Sequence, residues 1–121
     1  MPIQKILIID DSPTERFHLT EILTKNGFAV SSAENGEDAS EKIKADKPHL
    51  ILMGSIMTGK SSLQIMRAIS RDPDARGVPI IICTSKNQEA DRIWGLREGA
   101  RDYLIKPVGE AELLAKIAEM G

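Results

Sequence analysis

The sequence predicts a doubly wound α/β fold, in which helices cover both faces of a five-stranded parallel sheet. Short apolar runs alternate with amphipathic segments from one end of the 121 residues to the other. Two of these runs, 6–9 and 80–83, carry no polar residue, which is typical of strands buried on both faces. No linker or repeat interrupts the alternation, so residues 1–121 are expected to form a single domain.

The first strand, 6–9, is followed by a well-marked helix start. A side-chain cap, a proline at the first helical position and a capping-box acid are present in Ser12, Pro13 and Glu15. At helical spacing, the residues expected to face the core are Phe17, Ile22 and Leu23. Asn26 and Gly27 have the conformational freedom that ends a helix, so the first helix is expected to close there.

The second strand–helix unit contains fewer apolar residues than the first. A strand begins at 28–30, and the turn residues at 34–36 end it. A helix from Glu37 to about Ala45 follows, with Ala39 and Ile43 as a thin apolar stripe. Pro48 then prevents the helix from continuing.

The third unit begins with the strand 50–53 and continues through a glycine-bounded loop into a third helix. The apolar positions of this helix are Leu63, Ile65, Met66 and Ile69. The turn residues around Pro73 end it, and the fourth strand follows at 80–84.

Three further elements complete the pattern. A fourth helix is predicted over 87–98, with Ile93 and Leu96 as apolar positions and Gly99 as its cap. The fifth strand, 103–105, stops at a Lys-Pro pair. The terminal helix spans 110–120, and its inward positions are Leu113, Leu114 and Ile117.

Composition restricts the kinds of partner. Lys and Arg number 16 and Asp and Glu number 18, which gives a net charge of −2. Without a basic field, neither nucleic acid nor an anionic membrane is expected as a partner. The single cysteine, Cys83, lies inside an apolar run and is expected to be a buried thiol. No signal peptide or membrane-spanning run is present, so a cytoplasmic monomer is expected.

A flavodoxin-like strand order, 2-1-3-4-5, is a common solution for five alternating units. In this order ligands bind beyond the carboxyl ends of the strands, at the switch point between strands 1 and 3. The polar residues predicted at these strand ends are Asp10, Asp11, the loop from Gly54, Thr84 with Ser85, and Lys106. The functional site is expected at this edge of the sheet.

Four motifs at these strand ends give the chain a specific resemblance. They are Ile-Ile-Asp-Asp-Ser-Pro at 8–13, Leu-Ile-Leu-Met at 50–53, Thr-Ser at 84–85, and Gly-Ala-Arg-Asp-Tyr-Leu-Ile-Lys-Pro at 99–107. Along nearly its whole length the chain resembles a bacterial response-regulator receiver domain. The resemblance is strongest to the stand-alone receivers of the chemotaxis-like twitching-motility pathway of type IV pili.

The resemblance implies a role for each matching residue. The acidic pair Asp10 and Asp11 would bind Mg²⁺, and Thr84 would contact a phosphoryl group. Lys106 would sense that phosphoryl group, Tyr103 would switch rotamer, and the bond before Pro107 would be cis. A histidine kinase or another signalling protein is the partner that the resemblance implies.

One family role has no residue to carry it. The position after Leu-Ile-Leu-Met, where receivers keep the aspartate that accepts the phosphoryl group, is Gly54. The usual proline of the following loop is Thr58, and the usual Asp-Gly is Ser61-Ser62. Because glycine has no side chain to acylate, aspartyl phosphorylation cannot occur at this position.

The same loop matches a second pattern. Residues 54–61 read G-x-x-x-x-G-K-S, the phosphate-binding P-loop, placed between a strand and a helix as its mechanism requires. The residues predicted to bind phosphate or a nucleotide are Gly54, Ser55, Ile56, Met57, Thr58, Gly59, Lys60, Ser61 and Ser62. Their backbone N–H groups and the helix start would surround the phosphates of ATP or GTP.

In this hypothesis Lys60 would reach the β- and γ-phosphates, and Mg²⁺ would be held by Ser61 with Asp10 and Asp11. Asp11 in particular would act as a Walker-B-like acid. The alternative to this role is that Asp11 retains the geometry of a receiver and no nucleotide binds. No residue is assured to orient a water and no arginine finger is evident, so a slow NTPase activity is the most that is expected.

The alternative interpretation is a degenerate receiver that works without phosphorylation, through protein–protein contact. Its contact face would be the fourth helix, the fifth strand and the terminal helix. A third possibility is a mutant scaffold that folds and does little. The departures from the receiver pattern fall on the motif-defining positions Gly54, Lys60 and Ser61, which suggests an engineered transplant of the P-loop onto a receiver.

Overall fold

The computed structural model describes residues 2–54, 62–84, 96–97 and 99–120. The strands are β1 Lys5–Ile9, β2 Ala29–Ala33, β3 Leu50–Gly54, β4 Ile80–Thr84 and β5 Asp102–Ile105. The helices in the described ranges are α1 Pro13–Lys25, α2 Gly36–Asp46, α3 Ser62–Arg71 and α4 Glu110–Met120, with a 3₁₀ turn at Pro73–Ala75. All neighbouring strands are parallel and their order is β2-β1-β3-β4-β5. The predicted doubly wound fold and flavodoxin-like order are confirmed.

The ends of α1 are where the sequence places them, but its capping box is only half formed. The Ser12 side chain accepts a hydrogen bond from the Glu15 N–H at 3.2 Å, and Asn26 is the C-cap before Gly27 at φ +90°. The Ser12 N–H donates to Asp10 Oδ1 instead of to Glu15, at 3.0 Å. Glu15 Oε1 is buried and has no hydrogen-bond partner among the described residues.

One predicted core position of α1 is wrong. Phe17 is 67% exposed, whereas Leu19, Ile22 and Leu23 form the buried stripe of the helix. The stripe is set by the sheet on which α1 packs, and Phe17 lies outside the arc that faces it. The prediction counted apolar residues at roughly helical spacing without this constraint.

The second helix, α2, begins at Gly36 and ends at Asp46, each one residue beyond the prediction. The Asn35 side chain caps it by accepting from the Asp38 N–H at 2.8 Å. Lys47, in the left-handed conformation at φ 47°, ends it before Pro48. The predicted stripe of Ala39 and Ile43 is confirmed, since both side chains are buried.

The predicted fourth helix, 87–98, lies mostly outside the described residues. Leu96 and Arg97 are helical, and the Gly99 N–H donates to the Leu96 carbonyl at 3.4 Å. Gly99 has a φ of +114°, which agrees with its predicted role as a cap. In the described ranges no helix is long and apolar enough to cross a membrane.

Two hydrophobic clusters form the core, one on each face of the sheet. On one face, α2 and α3 pack against strand residues that include Leu7, Ile9, Ile51, Met53 and Ile82. On the other face, α1 and α4 pack against strand residues that include Ile6, Ile8, Leu50, Leu52 and Ile81. Alternate residues of each strand thus serve opposite clusters, which explains the uninterrupted apolar runs in the sequence.

Candidate functional site

The carboxyl ends of four strands meet at one edge of the sheet and bring the predicted site residues together. Asp10 directly follows β1, and Lys106 directly follows β5. Gly54 and Thr84 are the last residues of β3 and β4. The register pairs Ile9 with Met53, so Asp10 and Gly54 lie at the same level on adjacent strands. The structure therefore brings these predicted residues together at the predicted edge of the sheet.

Asp10 is the buried charge of this edge, with 2% of its surface exposed. Its Oδ1 accepts from the Ser12 N–H at 3.0 Å, and its Oδ2 accepts from Lys106 Nζ, also at 3.0 Å. Its backbone is held too, because Arg16 Nη1 donates to the Asp10 carbonyl at 2.7 Å and the Asp10 N–H donates to Ala33. The carboxylate is therefore compensated by a cation and fixed in position.

Gly54 leaves the space that the Asp10 carboxylate occupies. A Cβ built on Gly54 would lie 2.7 Å from Asp10 Oδ2 and 3.0 Å from its Cγ. Real Cβ atoms essentially never approach another heavy atom closer than 3.0 Å, so any side chain here would push the carboxylate away. The Asp10 carboxylate thus crowds the position from which a phosphoacceptor side chain would start.

Lys106 joins this site to the end of β5. Its side chain is 26% exposed, and its N–H donates to the Thr84 carbonyl at 2.6 Å. The peptide bond between Lys106 and Pro107 is cis, as the resemblance implies. Tyr103 is half-buried and packs against the cluster on the α2–α3 face, while Thr84 is buried at the end of β4.

Asp10 and Asp11 are the described residues that would hold Mg²⁺ at this edge, since one or two carboxylates with several waters usually bind this ion. Mg²⁺ in proteins takes several oxygen ligands in near-octahedral geometry. Asp11 is half-buried, and no group of three or more His, Cys, Asp or Glu in the described part of the chain offers a metal a site of protein ligands alone. The Lys106 ammonium already neutralises Asp10 and would compete with a metal cation. Ser61, the third predicted ligand, lies outside the described residues.

The P-loop prediction falls almost entirely outside the described residues. Residues 55–61, which include Gly59 and Lys60, lie outside the described residues, and so does the Ser62 side chain. The flanking elements are as predicted, since β3 ends at Gly54 and α3 begins at Ser62. The placement of the loop between a buried strand and a helix is therefore confirmed, and phosphate binding stays a prediction.

Cys83 is the predicted buried thiol, with 1% of its surface exposed beside Gly54 on the neighbouring strand. Burial raises its pKa to about 12, from an ordinary value of 9.0. Lys106 opposes this rise through its charge, and Asp10 and Glu15 add to it. A thiol with such a pKa stays protonated at neutral pH and is chemically inert in the folded protein.

The Cys83 thiol makes stability depend on alkaline pH. Because the folded pKa is raised, its contribution is fully present below about pH 9 and is lost as the pH rises toward 12. The expected slope in this window is about 1.4 kcal/mol of unfolding free energy per pH unit. Urea denaturation of the protein and of Cys83→Ala at several pH values would measure it. A slope as steep in Cys83→Ala would contradict the assignment, because that variant retains every other titrating group.

Two contacts of the site were not anticipated from the sequence. Asp10 and Lys106 were each assigned a separate ligand, Mg²⁺ and a phosphoryl group, and their pairing with one another was missed. The available signal was the absence of the acceptor at Gly54, which leaves the opposite charges of Asp10 and Lys106 at the same edge of the predicted sheet. Arg16, which holds the Asp10 carbonyl, gave no signal, because nothing in a helical pattern shows which arginine turns back toward the strand.

The fold and the strand-end site together define a receiver. The family pattern for the response regulator receiver domain matches residues 6–118, and the chain belongs to this family. It is 47% identical over 113 residues to Protein PilH of Pseudomonas aeruginosa, an overlap that covers 93% of each chain. The predicted resemblance to receivers is thereby confirmed.

More distant relatives agree with this assignment. The phosphate regulon transcriptional regulatory protein PhoB of Escherichia coli is 32% identical over 114 residues, which cover 94% of this chain and 50% of PhoB. The chain thus spans about half the length of that relative. The crystal structure of a putative response regulator from Chloroflexus aurantiacus matches with a TM-score of 0.90 at 27% identity, covering 99% of this chain and 98% of the other.

Proposed function

We propose that this chain is a receiver that signals without phosphorylation, through protein–protein contact, in a PilH-like pathway of type IV pili. The observation that carries the proposal is the occupied space at Gly54. The acceptor is absent, and Asp10 Oδ2 lies only 2.7 Å from the point where the Cβ of an acceptor would be. The lysine that would sense a phosphoryl group is bonded to Asp10 instead.

The contact face that we propose lies around β5, an edge strand of the sheet. Ile105 is 37% exposed on this strand, and Leu96, which precedes the strand in the chain, is 43% exposed. A cavity of about 260 Å³ lies between β5 and α4, lined by Tyr103, Leu104, Ile105, Glu112 and Lys116. An edge strand with an exposed branched apolar side chain beside a shallow cavity suits an apolar anchor from a partner protein.

The partner that we propose is a histidine kinase or another signalling protein of the same pathway. The test is binding of the cognate full-length kinase by pull-down and by calorimetry, with and without a phosphoryl donor and Mg²⁺. Equal affinity in both conditions, with no phosphoryl group added to the chain in intact mass spectra, is expected. Affinity that rises only after phosphoryl transfer to this chain would contradict the proposal.

Ile105 offers a direct test of the face. Ile105→Asp is expected to weaken partner binding at least tenfold, about 1.4 kcal/mol, because it puts a charge into an apolar contact. Stability should change by less than about 1 kcal/mol, since the side chain is already partly in solvent. Calorimetry and urea denaturation measure the two effects.

Ala45→Asp is the matched control, because it adds the same charge to an exposed position of α2, which packs toward the opposite edge strand, β2. Wild-type affinity is expected in this control. Equal losses in the two variants would show that charge alone, and not the β5 face, governs binding.

Nucleotide binding is the second candidate function. What favours it is the pattern Gly54 to Ser61 between the buried strand β3 and the start of α3. We propose that Lys60 and the loop backbone would hold the phosphates of ATP or GTP, with Mg²⁺ as cofactor and little base preference. A P-loop transplanted onto a receiver by engineering is the origin that this candidate implies.

Calorimetric titration of Mg-ATP and Mg-GTP into the protein and into Lys60→Ala would decide this candidate. Heat in the wild type that disappears in Lys60→Ala would support it. Lys44→Ala, on the exposed surface of α2, removes a lysine far from the loop and should bind as the wild type does. Absent heat in the wild type, or equal heat in Lys60→Ala, would remove the nucleotide role.

A further inference from the structure

The pair of Asp10 and Lys106 ties together two strands that are not neighbours. Asp10 follows β1 and Lys106 follows β5, and the order of the sheet places β3 and β4 between them. The lysine Nζ reaches Asp10 Oδ2 at 3.0 Å, across the carboxyl ends of the two intervening strands. A single ion pair therefore links one side of the site to the edge strand that carries Ile105.

Glycine at position 54 leaves room for this link. The built Cβ of Gly54 lies 2.7 Å from the same Oδ2 atom that bonds to Lys106. The atom met by that Cβ belongs to a short carboxylate whose other oxygen is held by the Ser12 N–H and whose backbone is held by Arg16. A side chain at 54 would require Asp10 to shift, and these bonds oppose the shift.

The two partners of this ion pair also differ in how much their charges depend on it. The Asp10 side chain is 3% exposed, so its charge depends on a nearby cation, whereas Lys106 at 26% exposure can reach water. A buried carboxylate that loses its cation pays a large desolvation penalty, and this favours the paired conformation. Because Lys106 directly follows Ile105 and its N–H is bonded to Thr84, the pair also fixes the last residues of β5.

We propose that the Asp10–Lys106 pair is a built-in lock that holds the end of β5 in one conformation without phosphorylation, and that Gly54 is the positioning residue that permits it. This inference rests on the proposed function, because the face that the lock would fix is the one assigned to partner contact. Lys106 is satisfied by an anion of the protein itself in place of a phosphoryl group.

The test is a cycle of variants read by amide hydrogen exchange of the segment 102–106. Gly54→Ala and Lys106→Met should each speed exchange there at least about tenfold, because each breaks the same pair. In the Gly54→Ala/Lys106→Met double variant the exchange should be no faster than in Lys106→Met alone, since no pair remains to be broken. If the acceleration in the double variant equals the product of the accelerations in the two single variants, the lock is overturned.

Two matched controls isolate the cause. Gly109→Ala adds the same methyl group where no atom lies within 4 Å, and Lys44→Met removes an exposed lysine of α2. Both controls should exchange at the wild-type rate in the segment 102–106. A change as large in Gly109→Ala as in Gly54→Ala would overturn the assigned role of Gly54.

A second background keeps the inference testable if Gly54→Ala does not fold. Asp10→Ala removes the carboxylate that the new methyl group would meet, so the double variant Asp10→Ala/Gly54→Ala is expected to fold. If this double variant also fails to fold, contact with Asp10 is not the reason that glycine is needed, and the lock is overturned. The two proposals can fail separately. If partner binding is independent of phosphorylation but the effects of Gly54→Ala and Lys106→Met on exchange multiply, the proposed function stands and only the lock is refuted.

Discussion

Replacing Gly54 with aspartate is expected to lower the unfolding free energy by about 2–4 kcal/mol in EDTA, because a third carboxylate would enter a buried acidic edge. The new side chain must displace the Asp10 carboxylate, whose Oδ2 lies 2.7 Å from its Cβ position. This edge of the sheet would then hold three carboxylates, so Mg²⁺ should restore much of the lost stability by mass action. Urea denaturation of the protein and of Gly54→Asp, in EDTA and in Mg²⁺, measures both effects.

Gly54→Asn separates charge from volume in this experiment. It brings nearly the same bulk without the third charge, so it should be destabilised in EDTA and should not recover in Mg²⁺. A small-molecule phosphoryl donor should modify Gly54→Asp and leave both the wild type and Gly54→Asn unmodified in intact mass spectra. Wild-type stability that rises with Mg²⁺ as much as that of Gly54→Asp would show that the described edge already holds the metal.

Lys106→Met is expected to cost about 3 kcal/mol, whereas Asp10→Asn should cost only about 1 kcal/mol, because the two partners differ in burial. Removing the lysine leaves the Asp10 carboxylate unpaired at 3% exposure. Removing the acid leaves an ammonium that can turn toward water, and the asparagine oxygen can still accept from Ser12. Urea denaturation of the two variants provides the comparison.

The double variant Asp10→Asn/Lys106→Met removes both charges and is expected to be more stable than Lys106→Met alone. This recovery identifies the unpaired carboxylate as the source of the loss. Equal losses in the two single variants, without recovery in the double, would instead indicate that Lys106 stabilises the protein through its packing.

The sheet, its strand order and most element boundaries could be predicted because each depends on local chemistry. The buried strands are recognisable from uninterrupted apolar runs, and the ends of α1 and α2 from residues such as Ser12, Gly27 and Pro48. The location of the site followed from topology, because ligands of such sheets lie beyond the carboxyl ends of the strands. These signals act within a few residues, where sequence patterns are informative.

The content of the site was harder to predict, because it depends on contacts between distant positions. Asp10 and Lys106 are 96 residues apart, and no local pattern shows that they pair. The prediction for Phe17 was wrong for a related reason, since only the packing of α1 on the sheet decides which of its apolar residues are buried. Gly54 shows how one residue can support two explanations: the P-loop motif requires a glycine there, and so does the close approach of Asp10.

The occupied space at Gly54 also bears on how such a chain can evolve. A glycine codon that ends in a pyrimidine lies a single base change from an aspartate codon, so a chain with an aspartate at position 54 is genetically near. The structure opposes this exchange, because the ion pair of Asp10 and Lys106 lies against the space that the new aspartate would need. Because the aspartate variant itself would be destabilised, stability would oppose this exchange even though the genetic code permits it in one step.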